Sequence, residues 1–385
     1  MEFNKMTMEI FSKLEQQWLS SQTTTASDAR KTKILTIDGG GTSVLVAGAF
    51  LIHLEDIIQV KTGDSAARVV DFFDIVAGTG VGGLLAVLIS AADSAGRPLF
   101  SARGAVSFLL NNRDLIFKRR HSGVRGLFRR RKSGDVIEKV LKSAFKDMTL
   151  KDTCKPILVP CYDTVSSAPF VFSRAAASAS AWTSLDFELW KVCAAAIATP
   201  AILPPFEISS VDGKTSFVAV DGGVVMNNPS AAAVTHALHN KVDFPAVNGV
   251  EDLLVLSFGN GSLSCCGSGK KWSGNSKNTV KCVVDVAVDG VSEIVDQMLT
   301  NAFSCYRNDY VRIQANGFDG SGLMTAEKAL KERGIESITF GGKRLLAETN
   351  GDRIEGFVQR LVNSSTKPSL PPSPYKSLSP LLDGR

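Results

Sequence analysis

Three glycine-rich segments carry the residues that could do chemistry. Asp38-Gly39-Gly40-Gly41 follows the apolar run Lys33–Ile37 and precedes a stretch of helical periodicity. Glycines there let the backbone approach a ligand closely, and the first turn of the next helix offers unpaired N–H groups. The segment therefore suits an oxyanion hole or an anion cradle. Gly78-Thr79-Gly80-Val81-Gly82 again joins a strand to a helix, in the frame of the nucleophile elbow Gly-x-Ser-x-Gly. That turn exposes one side chain above a sheet, and Gly78 and Gly82 are the glycines its crowding requires. The exposed centre is Gly80, which has no hydroxyl. Asp221-Gly222-Gly223 lies between the apolar run Phe217–Val220 and a helix opened by Asn228-Pro229. A carboxylate just past a strand end points into the region where α/β sites form, and it could act as general base to a hydroxyl on the elbow.

The elements that must position these segments are read from periodicity. Short apolar runs predict strands at Lys33–Ile37, Phe72–Ala77, Pro156–Cys161, Phe170–Phe172, Phe217–Val220, Leu253–Phe258 and Tyr310–Gln314. Helical spacing predicts helices at 44–58, 84–92, 134–145, 186–197, 229–240, 283–303, 325–333 and 351–362. Strands alternating with helices imply a mostly parallel sheet covered on both faces, a three-layer α/β/α sandwich. Residues 1–31 hold an amphipathic helix and a polar Ser/Thr linker, 32–363 the organised domain, and 364–385 a Ser/Pro-rich tail that cannot bury apolar surface and is expected to be disordered. Residues 262–279 are polar and glycine-rich, which predicts a surface loop.

Composition narrows the class. Apolar residues make up 44% and charged residues 21%, enough for a sizeable core. The seven cysteines form no C-x-x-C pair, so neither a zinc site nor a disulfide framework is suggested. The first 20 residues have no continuous apolar core or cleavage site, and no apolar stretch is long enough to span a bilayer. These features predict a reduced, cytoplasmic chain that is soluble or sits peripherally on the plasma membrane.

Other candidates for chemistry are weaker. Thr79 adjoins the elbow's centre, but such a turn aims its neighbours elsewhere, and Ser43 reads as a helix-capping hydroxyl. His236 and His239 share one predicted helix without the carboxylate of a metal motif, so no metal is expected. Gly78 to Gly83 also spells the dinucleotide fingerprint G-x-G-x-x-G, yet Asp93 follows no second strand that would place it on a ribose. Asp38 to Ser43 has the glycines of a sugar-kinase phosphate loop, which would continue into a hairpin where this chain has helical periodicity. Residues 118–132 hold eight Lys or Arg, Arg129, Arg130 and Arg131 among them, with Val124, Leu127 and Phe128 interleaved. A solvated basic loop and an anionic membrane-binding segment both fit that pattern. The apolar residues favour a membrane over a nucleic acid.

Taken together and in this order, the three segments resemble the patatin family of lipid acyl hydrolases. Its members carry an Asp-Gly-Gly-Gly oxyanion loop, a Gly-x-Ser-x-Gly elbow and a distal Asp-Gly-Gly. The likeness spans Lys33 to Val362. It is closest to the third plant subgroup of patatin-related phospholipases, through DFFDIVAGTGVGG, DTCKPILVPCYD, SAPFVFSRA, DFELWKVC and AVDGGVVMNNPSAAAVTH. That subgroup also carries glycine at the elbow.

The resemblance implies a patatin-type α/β/α domain over 32–363, with Gly39, Gly40 and Gly41 as oxyanion loop, Gly80 at the nucleophile position and Asp221 as proton acceptor. It implies a serine–aspartate dyad without a histidine, no cofactor, and phospholipid and galactolipid substrates. Two departures weaken the expected activity: Gly80 cannot carry an acyl group, and Ser43-Val44 stands where patatins have Arg-Gly. The expected function is a lipid acyl hydrolase of lipid metabolism that is weak or inactive. A non-catalytic lipid-binding protein that retains the cleft is the alternative.

Overall fold

A computed structural model of the chain describes residues 31–40, 44–117, 126–178, 185–200, 202–261, 276–315 and 326–363. The expected N-terminal helix, the tail and the capping role of Ser43 lie outside them. Eight strands form one sheet: β1 Thr32–Ile37, β2 Ile75–Gly78, β3 Ile157–Asp163, β4 Ala168–Ser173, β5 Phe206–Ser209, β6 Ser216–Asp221, β7 Leu253–Phe258 and β8 Tyr310–Ile313. Their order is β5-β6-β3-β2-β1-β7-β8, with β4 on the other edge of β3. The five strands β3, β2, β1, β7 and β8 run parallel; β4 and β6 run antiparallel to β3, and β5 pairs antiparallel with β6 at the sheet edge.

The central strands are continuous apolar runs because both of their faces are covered. Leu35, Ile37, Val76, Leu254, Leu256 and Phe258 pack into one core. Their alternates Ile34, Ile75, Ala77, Leu253 and Val255 pack into a second core on the opposite face. The first core is roofed by α1 Val44–Thr62, α2 Gly80–Ser90, α3 Ala102–Phe117, α4 Gly126–Phe145, α6 Leu189–Ala196 and α11 Asn350–Asn363. The second lies under α8 Ser230–His239 and the end of α9 Ser276–Ala302. Two short helices, α5 Arg174–Ser178 and α7 Gly223–Met226, link strands, and α10 Ala326–Lys331 leads into an antiparallel hairpin, β9 Arg333–Ile338 and β10 Gly342–Thr349. This is the three-layer α/β/α sandwich expected from the sequence.

Several boundaries differ from expectation, each for a local reason. The strand expected from Phe72 starts at Ile75, because Val69–Phe72 winds as a 3-10 turn whose first amide, Val69 N–H, donates to buried Glu55 at 3.2 Å. Helix α2 starts at Gly80 rather than Leu84, so the elbow itself forms its first turn. Helix α4 starts at Gly126, so the second half of the basic segment, with Arg129, Arg130 and Arg131, is helical rather than a loop. Helix α3, strand β5 and the β9–β10 hairpin were not foreseen.

Candidate functional site: an elbow without its nucleophile

Strand β3 brings the site together. Strand β4 occupies one edge of β3 from Leu158 to Asp163. The other edge is shared: β2 pairs there in parallel up to Leu158, and β6 pairs antiparallel from Asp163 back to Cys161. The two strands therefore run towards each other, and their C-terminal ends meet. Those ends are Gly78, which opens the elbow, and Asp221.

At the elbow Thr79 is extended, with φ −112° and ψ 144°. Gly80 follows at φ +55°, in the left-handed region that disfavours side chains. Thr79 is fully buried, and its hydroxyl donates to the Met226 carbonyl at 2.7 Å. It is turned away from the site, as its place in the elbow predicts. The flanking glycines are fixed by packing. A Cβ at Gly78 would stand 2.2 Å from the Gly82 carbonyl oxygen, and one at Gly82 would stand 2.4 and 2.5 Å from the carbonyls of Ile37 and Asp38. The elbow frame is thus a requirement of this backbone, with or without a nucleophile.

Position 80 still faces the acid. A Cβ on Gly80 would lie 3.1 and 3.3 Å from the two carboxylate oxygens of Asp221. Asp221 is 7% exposed. Its Oδ2 accepts from the Thr199 hydroxyl at 2.7 Å and its Oδ1 from the Gly223 N–H at 2.8 Å, while its own N–H donates to the Ala198 carbonyl at 3.0 Å. Burial pushes the carboxyl above its ordinary value, against the opposing pull of the hydrogen bonds from Gly223 and Thr199. Gly222 has to be glycine because a Cβ there would meet the Pro160 carbonyl at 2.4 Å.

The loop after β1 lies alongside. Gly39 packs against Thr79 and Asn227, since a Cβ on it would come within 3.3 Å of Thr79 Cγ2 and 2.4 Å of Asn227 Oδ1. Its N–H donates to the Asn227 carbonyl at 2.9 Å, so that amide is committed to structure. The Asn260 amide clamps the loop from the other side, donating to the carbonyls of Asp38 at 2.8 Å and Gly39 at 3.0 Å. Gly40 has φ +145° and its Cα faces Asn260, leaving no space for a side chain. Gly41 lies outside the described residues. Asp38 points away into the protein, where Arg312 donates to both of its carboxylate oxygens at 3.1 and 2.5 Å. Arg312 also donates to Ser257, which continues through Ser230 to Thr36 as a chain of buried hydroxyls.

The structure thus brings Gly78, Gly80, Gly82, Asp221, Gly222, Gly223 and Gly39 to one place. Arg129, Arg130 and Arg131 lie on the first turns of α4, and their side chains are outside the description. His236 and His239 end α8: His236 sits half-buried against the Phe244 ring and beside the Asn240 amide, and His239 is exposed. Among the described residues no three His, Cys, Asp or Glu side chains group as metal ligands. Sequence reasoning missed Thr199, Asn227, Asn260 and Arg312. Thr199 sits in the turn after α6, Asn227 just past α7 and Asn260 just past β7, and nothing in the local sequence marks these positions as part of a site.

Comparison with known proteins identifies the family. The family model for patatin-like phospholipase matches residues 35–234. "Probable inactive patatin-like protein 9" of Arabidopsis thaliana is 58% identical over 395 residues, covering 100% of each chain. "Patatin-like protein 6" of the same plant is 41% identical over 86% of this chain and 71% of its own. "Patatin-like protein 3" of Oryza sativa subsp. indica is 38% identical over 93% of this chain and 90% of its own. On the family match and on full-length relatives of this similarity, the chain belongs to the patatin-like phospholipase family.

Proposed function

We propose that this protein binds acyl lipids, phospholipids and galactolipids, in the patatin cleft and hydrolyses them slowly, with water in place of the missing serine. The observation that carries this reading is the preserved aim of position 80 at an intact Asp221. Asp221 takes a proton from a water beside Gly80, and the water oxygen attacks the ester carbonyl carbon. Negative charge on the carbonyl oxygen is met by loop amides beyond Gly39, whose own N–H is occupied. Collapse of the tetrahedral species expels the alcohol, which takes the proton back from Asp221. In a serine protease, loss of the nucleophile costs about 10⁶ in rate, yet roughly 10³–10⁴ over water survives through the oxyanion hole and binding. The protein works in the cytoplasm, peripherally at the plasma membrane, with Arg129, Arg130 and Arg131 drawn to anionic head groups.

The decisive experiment measures fatty-acid release by purified protein beside an Asp221→Ala control. A slow release that Asp221→Ala abolishes, with no burst and no covalent serine-probe adduct, supports the water route. Equal release by both proteins would sink it. The second reading, a purely lipid-binding protein, is favoured by one observation: Thr199 and Gly223 already satisfy the Asp221 carboxylate without any substrate.

A further inference from the structure

The β9–β10 hairpin ends in a feature that packing does not explain. Its turn runs through Thr339, Phe340 and Gly341, and Phe340 is 96% exposed while its backbone is held at φ +55°. A bulky side chain in that conformation is strained, and here it gains no contact area in return. The strain is built in: the Phe340 N–H donates to Gln297 Oε1 at 3.1 Å, and the Gly341 N–H closes the turn onto the Ile338 carbonyl at 2.8 Å.

Further apolar surface adjoins the tip. Ile338 and Leu345 are exposed on opposite faces of the hairpin, and Ile294 and Met298 are exposed one turn apart on α9 beside the face that carries Leu345 and Lys343. The α9 pair sits next in sequence to Glu293 and Gln297, the residues that hold Lys343 and Phe340. Large apolar side chains exposed together on a strained tip and the helix beside it mark an interaction site. The basic side chains that follow the tip are already paired, Lys343 with Glu293 at 2.8 Å and Arg344 with Glu336 at 2.5 Å. The tip is therefore apolar between neutralised flanks.

Its position says what it meets. Lys343 and Glu293 line a small cavity together with Gly39, Gly40 and Asn260, so the hairpin stands beside the loop of the candidate site. No described helix is long and apolar enough to cross a membrane. A chain that takes lipids from a bilayer through this cleft would have to engage it from the surface.

We propose that the hairpin tip and the adjoining face of α9 form a bilayer-docking surface, with Phe340 entering the boundary between head groups and acyl chains beside the cleft. This rests on the lipid reading of the cleft. Because the flanks are neutralised, docking depends on apolar insertion, so it occurs on neutral phosphatidylcholine and resists salt.

The test uses the full chain. The wild-type chain has four tryptophans, so the emission of Phe340→Trp less that of wild type isolates position 340. This difference should shift to shorter wavelength on phosphatidylcholine vesicles and be quenched by bromines in the acyl chains, at low and high salt alike. Phe340→Asp and Met298→Asp should each weaken co-sedimentation with these vesicles by about tenfold or more. Phe340→Asp should keep the thermal midpoint, because Asp adopts positive φ more readily than Phe. A difference emission that vesicles leave unchanged overturns the proposal. So does a difference emission already shifted before lipid is added, which would mean that another segment of the chain or a second copy covers the tip. Wild-type co-sedimentation by Phe340→Asp overturns it as well. Binding of a short-chain ester below its micelle concentration reports on the cleft alone: its loss in wild type with docking intact would remove the cleft reading and leave the surface.

Discussion

Glycine at position 80 alters two energies through one backbone angle. At φ +55° a serine would carry strain of about 1–3 kcal/mol, and its Cβ would press the Asp221 carboxylate at 3.1 Å. Gly80→Ser should therefore lower stability by that amount in a denaturant titration while placing a hydroxyl beside the general base. Ester hydrolysis should rise well above wild type and acquire an acyl-enzyme that a fluorophosphonate probe can trap. Lost stability without gained activity would mean that the oxyanion loop no longer functions; unchanged stability would mean that the turn is not strained. Thr199 offers a finer measure. Its hydroxyl stabilises the charged form of Asp221, whose pKa burial has raised. Hydrolysis needs the deprotonated base, so the Gly80→Ser rate should fall as pH drops through a midpoint raised above that of an ordinary aspartate. Adding Thr199→Val removes a hydrogen bond to the carboxylate and should move that midpoint higher still. An unmoved midpoint would show that another group limits the rate.

At the scale of elements, the loop after β1 is held by strands distant in sequence, and its anchor is the buried ion pair between its first residue, Asp38, and Arg312 on β8. Arg312→Ala would leave Asp38 charged and unpaired in the interior, which should cost about 3–5 kcal/mol in a denaturant titration. Asp38→Asn combined with Arg312→Leu should cost clearly less than Arg312→Ala alone. A double variant no better than the single one would mean that Arg312 matters for its packing. The same elements divide into legible and illegible ones. Strands β1, β2 and β7 could be read because burial on both faces makes them unbroken apolar runs, and the helices between them could be read from period. Helix α3 does place Ala102, Ala105, Val106 and Leu109 on its buried side, but Asn111, Asn112, Arg113 and Asp114 blur the pattern. The hairpin strands are mostly exposed and polar, so no alternation marks them. In the site, Gly80 and Asp221 were legible because motifs fix their neighbours. Thr199, Asn260 and Arg312 were not, because their roles exist only once β3, β7 and β8 bring separate stretches of chain together.

For the whole molecule, the two surfaces proposed to meet lipid should differ in the force they use. The hairpin tip offers apolar area between paired charges, whereas residues 118–132 concentrate eight basic side chains. Each basic residue near an anionic surface contributes about 1 kcal/mol, screened over a Debye length of roughly 8–10 Å. The preference of the wild-type protein for anionic over neutral vesicles should therefore shrink as salt is raised, and the affinity that remains should be that for neutral lipid. Reversing Arg129, Arg130 and Arg131 to Glu turns three attractions into three repulsions. It should remove most of the anionic preference at low salt and leave binding to neutral phosphatidylcholine in place. The ratio of the two affinities, measured against salt for wild type and the reversed variant, separates the contributions because only the electrostatic one depends on ionic strength. A reversed variant that keeps the wild-type ratio would mean that α4 faces water and takes no part in membrane binding.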